Sequence, residues 1–135
     1  MKSILTLTTI AMLTIGGSAR ADVWSAGPAY PGFPAGSVTC RIFNAGLTAV
    51  TVTTRQIFEN ASATPIALSS DTCAAAVPPL GYCAFSAAVA GNFAFSCRVI
   101  TNGTDNNISG AIDVRAQTHP FQLESSLRLN RTAPV

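Results

Sequence analysis

Acid–base chemistry near neutral pH has one natural carrier in the 135-residue chain, His119, its only histidine. It lies in Gln117-Thr118-His119-Pro120-Phe121, a connection between expected strands. A small hydrolase using His119 would recruit Asp113 or Glu124 to orient it and a serine as nucleophile. No Gly-x-Ser-x-Gly or comparable nucleophile context accompanies it, so a surface-loop histidine is the plainer reading. Asp71, Asp105, Asp113 and Glu124 are the carboxylates from which a glycosidase would draw its pair. All four fall on expected turns or outward strand faces, where a solvated carboxylate is the default. Asp105-Asn106-Asn107 presents oxygens to Ca²⁺, but one charge in a short polar loop makes a weak site. Glycine-rich phosphate cradles and histidine metal clusters are absent. These residues predict a non-catalytic protein without cofactor or metal.

Cys40, Cys73, Cys83 and Cys97 carry the remaining chemistry. Structural zinc wants a CxxC pair or histidine partners at set spacing, and neither occurs. Both methionines fall in the N-terminal segment, which removes a thioether copper site from the rest. Two disulfides are therefore expected. Four cysteines allow three connectivities, and their spacing alone does not choose among them. Strand phase gives a preference. Cys40 shares the Val38/Ile42 face of one alternating run, and Cys97 shares the Phe93/Phe95/Val99 face of another, leaving Arg98 outward. Two inward cysteines on separate strands can bridge a core, so Cys40 is paired with Cys97 and Cys73 with Cys83.

The compartment follows from the N-terminus. Met1-Lys2 precedes an apolar run from Ile4 to Ile15, and Ala19-Arg20-Ala21 supplies a small-x-small end. That is the layout of a secretory signal peptide over residues 1–21. The run is shorter than the roughly 20 residues a transmembrane helix needs. Removing the signal leaves 114 residues with six Arg against six acidic groups, a net charge of zero. No basic surplus remains for nucleic acid, no polybasic membrane anchor and no second hydrophobic span. With 48% hydrophobic and 10% charged residues, the chain reads as one small secreted or periplasmic domain. Four N-x-S/T sequons, at Asn60, Asn102, Asn107 and Asn130, are attributed to chance in a chain rich in Asn, Ser and Thr.

The elements that must position these residues have period two. Expected strands are Ser37–Asn44, Ala49–Phe58, Pro65–Leu68, Tyr82–Val89, Phe93–Thr101, Ile108–Arg115 and Phe121–Leu129, separated by turn-forming Asn, Gly and Pro. Inward sets include Val50/Val52, Phe85/Ala87/Val89, Ile108/Ile112/Val114 and Phe121/Leu123/Leu127/Leu129. No segment carries a convincing helical stripe. About seven strands with a core-crossing cysteine pair predict an all-β, antiparallel immunoglobulin-like β-sandwich over residues 37–135. Residues 22–36 contain three prolines and three glycines within ten positions. They are expected to form an extended arm over the domain, with at most a short edge strand near Val23-Trp24. Its rings, Trp24, Tyr30 and Phe33, are the candidate binding surface. Outward Thr51/Thr53 and Ser125/Ser126, free of Lys, mark edges open to strand addition unless the arm protects them.

Leu80-Gly81-Tyr82-Cys83-Ala84-Phe85 resembles the L-x-P-G-x-x-C-x-F loop-into-strand pattern of bacterial exported immunoglobulin-like domains. Phe95-Ser96-Cys97-Arg98-Val99 resembles the later cysteine strand of such sandwiches. The likeness covers about 20 residues. The prolines here precede Leu80, no Trp follows Cys40 on the next strand, and Phe95 stands where the pattern has Tyr. The resemblance implies adhesion, assembly or scaffolding and carries over no functional residue. The expected role is a binding or assembly module whose partner is another envelope protein or a glycan. A pilus-like structural subunit completed by a partner strand is the alternative beside the hydrolase. Mass spectrometry of the unreduced exported protein should show cleavage after Ala21 and a mass four hydrogens below the all-thiol form. A mass retaining the leader or the thiols would contradict this reading.

Overall fold

The computed structural model describes residues 21–32, 34–60, 62–102, 107–117, 123–128 and 130–134, with side chains up to residue 117. Among the described residues there are nine strands: β1 Ala21–Ala29, β2 Ala35–Asn44, β3 Val52–Glu59, β4 Ser70–Asp71, β5 Tyr82–Ala88, β6 Phe95–Asn102, β7 Ile108–Ala116, β8 Leu123–Arg128 and β9 Asn130–Pro134. All pairings are antiparallel. One sheet has the order β3-β6-β1-β9, the other β4-β5-β2-β7-β8. No helix among the described residues is long and apolar enough to cross a membrane.

The period-two pattern explains the packing. In β2, Val38, Cys40 and Ile42 are buried while Arg41 and Phe43 face outward. In β6, Phe95, Cys97, Val99 and Thr101 are buried and Arg98 is exposed. Residues of both sheets join a single buried cluster, with Phe85, Phe95, Ile42, Ile57 and Ile112 among its largest members. Cys40 on β2 and Cys97 on β6 form a disulfide through that cluster, with Cα atoms 6.3 Å apart. The second disulfide joins Cys73 to Cys83 at a Cα separation of 5.0 Å. The first pairing agrees with strand phase, and the second is the one it leaves.

Residues 22–36 are not an arm. Ala21–Ala29 is β1, an interior strand of the four-stranded sheet with β6 on one side and β9 on the other. Its burial alternates, hiding Asp22, Trp24 and Ala26. The prolines and glycines mislead because only Gly27 and Pro28 fall within the strand. There the register with β6 shifts between Ala26 and Ala29, which takes the proline, without its N–H, out of the ladder. Gly27 has φ +118°, and a Cβ at this position would lie 2.8 Å from the Phe95 carbonyl oxygen, so glycine is required. The expected Phe121–Leu129 strand is also revised: β8 pairs with β7, whereas β9 pairs with β1 in the other sheet. The Asn130–Pro134 stretch was missed because it lacks large apolar residues. Phe121 and Leu129 lie outside the described residues, as do residues 1–20 of the expected signal peptide.

Pro65–Leu68 is not a strand either. Pro65 has no N–H to donate, and the segment's contact with the sheet is Ile66 N–H donating to Ile57 O at 2.7 Å. Ile66 and Leu68 pack against the core. This segment borders the β3 edge, while Ser69–Thr72 covers β5 through hydrogen bonds to Ser86 and Ala84. Thus residues 62–72, not the N-terminal segment, shield these edges. Loop-closure entropy assigns the Cys40–Cys97 link, at a sequence separation of 57, about 4 kcal/mol and the Cys73–Cys83 link, at a separation of 10, about 2.5–3 kcal/mol. Chemical denaturation followed by Trp24 fluorescence should therefore show a larger loss for Cys40→Ala/Cys97→Ala than for Cys73→Ala/Cys83→Ala. The reverse order would be inconsistent with this placement.

Candidate functional site

Asn44, the last residue of β2, is buried and organises one end of the molecule. Its side-chain Nδ2 donates to Thr48 O at 2.7 Å and to Val77 O at 3.0 Å, with Pro78 O at 3.3 Å. Its Oδ1 accepts from Gly46 N–H at 2.9 Å. Its backbone N–H donates to Gly81 O and its carbonyl accepts from Leu80 N–H. A single amide thus joins the turn after β2 to the loop before β5, and its bonds to Val77 O and Gly46 N–H are buried.

Two polar ties hold that second loop from its other side. One Asp71 carboxylate oxygen accepts from Cys73 N–H at 2.8 Å, and the other forms an ion pair with Arg55, 2.7 Å from its Nε. Arg55 also donates to Val52 O at 2.8 Å, so β3 grips the base of the Cys73–Cys83 clip. Within the loop, Gly81 sits against Pro78, whose ring Cγ would be 2.7 Å from a Cβ at that position. Leu80, immediately before it, has φ +58°. A branched residue in left-handed backbone is strained, and Leu80 is also 73% exposed.

Large apolar side chains project around this fixed end. Leu47 is 93% exposed and Tyr82 76% exposed, while Phe43 is partly open. Phe43 and Tyr82 are opposite one another across β2 and β5. On the other side of β2, Ser109 of β7 faces Phe43, and in the next row Arg41 lies between Ala84 and Ala111. Large rings beside small β7 residues leave a hollow of about 670 Å³ on the outer face of the five-stranded sheet. Arg41 lines it, and its Nε bonds the mostly buried Asp113 carboxylate at 2.9 Å. The arrangement offers two rings, a hydroxyl and one internally compensated charge.

The rings of the expected binding surface do not come together among the described residues. Trp24 is only 5% exposed, and its indole N–H donates to Thr101 Oγ1 at 3.2 Å. Its strand phase places it with Asp22 and Ala26, inside. Tyr30 is exposed, and Phe33 lies outside the described residues, so the three rings form no described common surface. His119, Asp105 and Asn106 also lie outside them, and Glu124 is placed only as a residue of β8. Asp71 and Asp113, both described, are each committed to an arginine. Phase did carry the signal for the missed pair: if Ile42 and Cys83 point inward, Phe43 and Tyr82 must point outward.

Comparisons of the chain with protein-family models, curated proteins and solved structures return no match. Asn44→Ala should cost about 1–2 kcal/mol, because the buried Gly46 N–H would lose its side-chain acceptor and the bonds to Thr48 O and Val77 O would go with it, although Val77 O keeps the Val50 N–H. The measurement is denaturant unfolding, with Trp24 fluorescence as the signal. Stability within about 0.5 kcal/mol of the parent, the range of an ordinary surface change, would remove Asn44 as the organiser of this end.

Proposed function

We propose that the chain is a small exported, non-catalytic binding module built on an immunoglobulin-like β-sandwich. In this reading residues 1–21 are removed on export, and the domain works in a secreted or periplasmic setting. The two buried disulfides fit an oxidising compartment. The link between β2 and β6, tying one sheet to the other, supports the sandwich. Its partner is an envelope protein or a glycan.

The carrying observation is Leu80, whose strained backbone holds an apolar side chain in solvent two residues before Tyr82, itself paired across the strands with Phe43. Exposure and strain at one residue are both unfavourable for folding, and a rigid polar hub maintains them. Exposed apolar groups held on a fixed frame suit recognition better than stability. The committed arginine–carboxylate pairs support a non-catalytic role for the described face.

A second reading is a structural subunit completed by strand exchange. It is favoured by β1, an N-terminal strand of alternating burial between β6 and β9. Here the chain's own β1 occupies that slot, which places the binding reading first. The purified protein should sediment with an insoluble envelope fraction of the producing cells. Phe43→Ser/Tyr82→Ser should reduce that fraction at least several-fold with unchanged Trp24 fluorescence, while Tyr30→Ser should not. Normal sedimentation of the folded double variant would reject this face. A mass by size exclusion that rises with concentration equally in parent and double variant would favour strand exchange.

A further inference from the structure

We propose that the hollow beside Phe43 and Tyr82 binds a neutral oligosaccharide. The inference rests on the binding reading above and assigns it a ligand class.

Backbone pairing narrows the choice first. β2 runs through the centre of the five-stranded sheet, paired on one side with β5 and on the other with β7. Its amides and carbonyls are spent in those ladders, so an extended peptide cannot add here as another strand. Recognition must come through side chains standing on the sheet face. The hollow, about 670 Å³, lies within the range of roughly 300–1,000 Å³ common for small-ligand sites. It opens broadly on the surface, which suits the side of a chain of linked rings.

Charge narrows it further. Among the residues whose side chains are described, Arg41 is the only charged one lining the hollow, and Asp113 is 2.9 Å from its Nε. An anion would meet a cation already compensated, and a cation would find no uncommitted carboxylate among the lining residues. An uncharged ligand loses nothing here.

The remaining groups match a pyranose. Such a ring presents C–H bonds on a flat face and hydroxyls around its rim. The C–H face meets the negative face of an aromatic ring favourably and gains dispersion contact. Tyr82 and Phe43 supply adjoining rings, and small Ser109 and Ala111 leave room beside them. Rim hydroxyls both donate and accept, which suits the Ser109 hydroxyl and the Arg41 guanidinium. Asp113 limits the guanidinium's rotation, and an ordered donor loses less freedom on binding. Tyr82 is the principal stacking platform because it is the more exposed ring.

The test is nuclear magnetic resonance titration of the full exported chain. The neutral probes are hexasaccharides of β-1,4-glucose, β-1,4-N-acetylglucosamine and α-1,4-glucose, and an oligogalacturonate is the acidic comparison. At least one neutral probe should shift the amides of Phe43, Tyr82, Ser109 and Ala111 saturably at millimolar concentration. Tyr82→Ala should weaken that binding about tenfold, whereas Tyr82→Phe, which keeps the ring, should stay within about twofold. Absence of these shifts with every neutral probe, or shifts with the acidic probe alone, overturns the proposal. Shifts that follow protein concentration without sugar also overturn it, by assigning the face to a second copy of the chain. If sugar binding fails while envelope sedimentation still depends on Phe43 and Tyr82, the saccharide class fails and the binding reading survives.

Discussion

The covalent tie between Cys40 and Cys97 is the constraint on which the other features depend. It joins β2 to β6, each an interior strand of its own sheet, and it lies within the buried cluster both sheets share. A domain of about this size hides a smaller share of its surface than a large one does, so its net stability is a small remainder of opposing terms. A long-range link that reduces the freedom of the unfolded chain therefore has disproportionate effect. It also fixes phase. With Cys40 inward, Arg41 and Phe43 must face solvent, and their neighbours on β5 and β7 follow by register.

Strand alternation was legible in the residues, and composition was misleading. The runs around Cys40, Phe85, Cys97 and Ile112 announced their inward faces because large apolar residues recur at every second position. The N-terminal segment carries the same alternation in Asp22, Trp24 and Ala26, but a buried Asp and a small Ala weaken its apolar signature. Its prolines then suggested a loop. What the residues did not disclose was a register shift that sets Gly27 and Pro28 aside while the ladder resumes at Ala29. Such a shift depends on the φ of one glycine and the nearness of the Phe95 and Ser96 backbone, a tertiary condition without local signature. β9 escaped for a related reason: it is a strand because β1 offers it an edge.

The candidate site divides along the same line. That Phe43 and Tyr82 point outward follows from phase alone, yet their cross-strand adjacency needs the β2–β5 register. The role of Asn44 was not visible, since an Asn-Ala-Gly stretch reads as an ordinary turn. Its importance comes from Val77 and Pro78, more than thirty residues away, whose carbonyls it bonds. Trp24 shows the opposite error. An aromatic residue among prolines resembled an exposed contact, whereas its indole is inside and satisfied by Thr101.

Rigidity connects the fold to the function proposed for it. Side chains on paired strands have their backbone fixed by hydrogen bonds on both sides, and β2 is held in this way throughout the hollow. At the open end, where a loop would otherwise move, the Asn44 amide, the Arg55–Asp71 pair and the Cys73–Cys83 link restrain the segment leading into Tyr82. Weak contacts such as ring stacking contribute to affinity only when little freedom remains to be lost on binding. A shallow hollow with two rings and a compensated arginine would recognise little if those groups moved independently. Three separate ties converging on one short loop make it a preorganised surface, and that concentration of restraint beside exposed rings is what gives this face its claim to function.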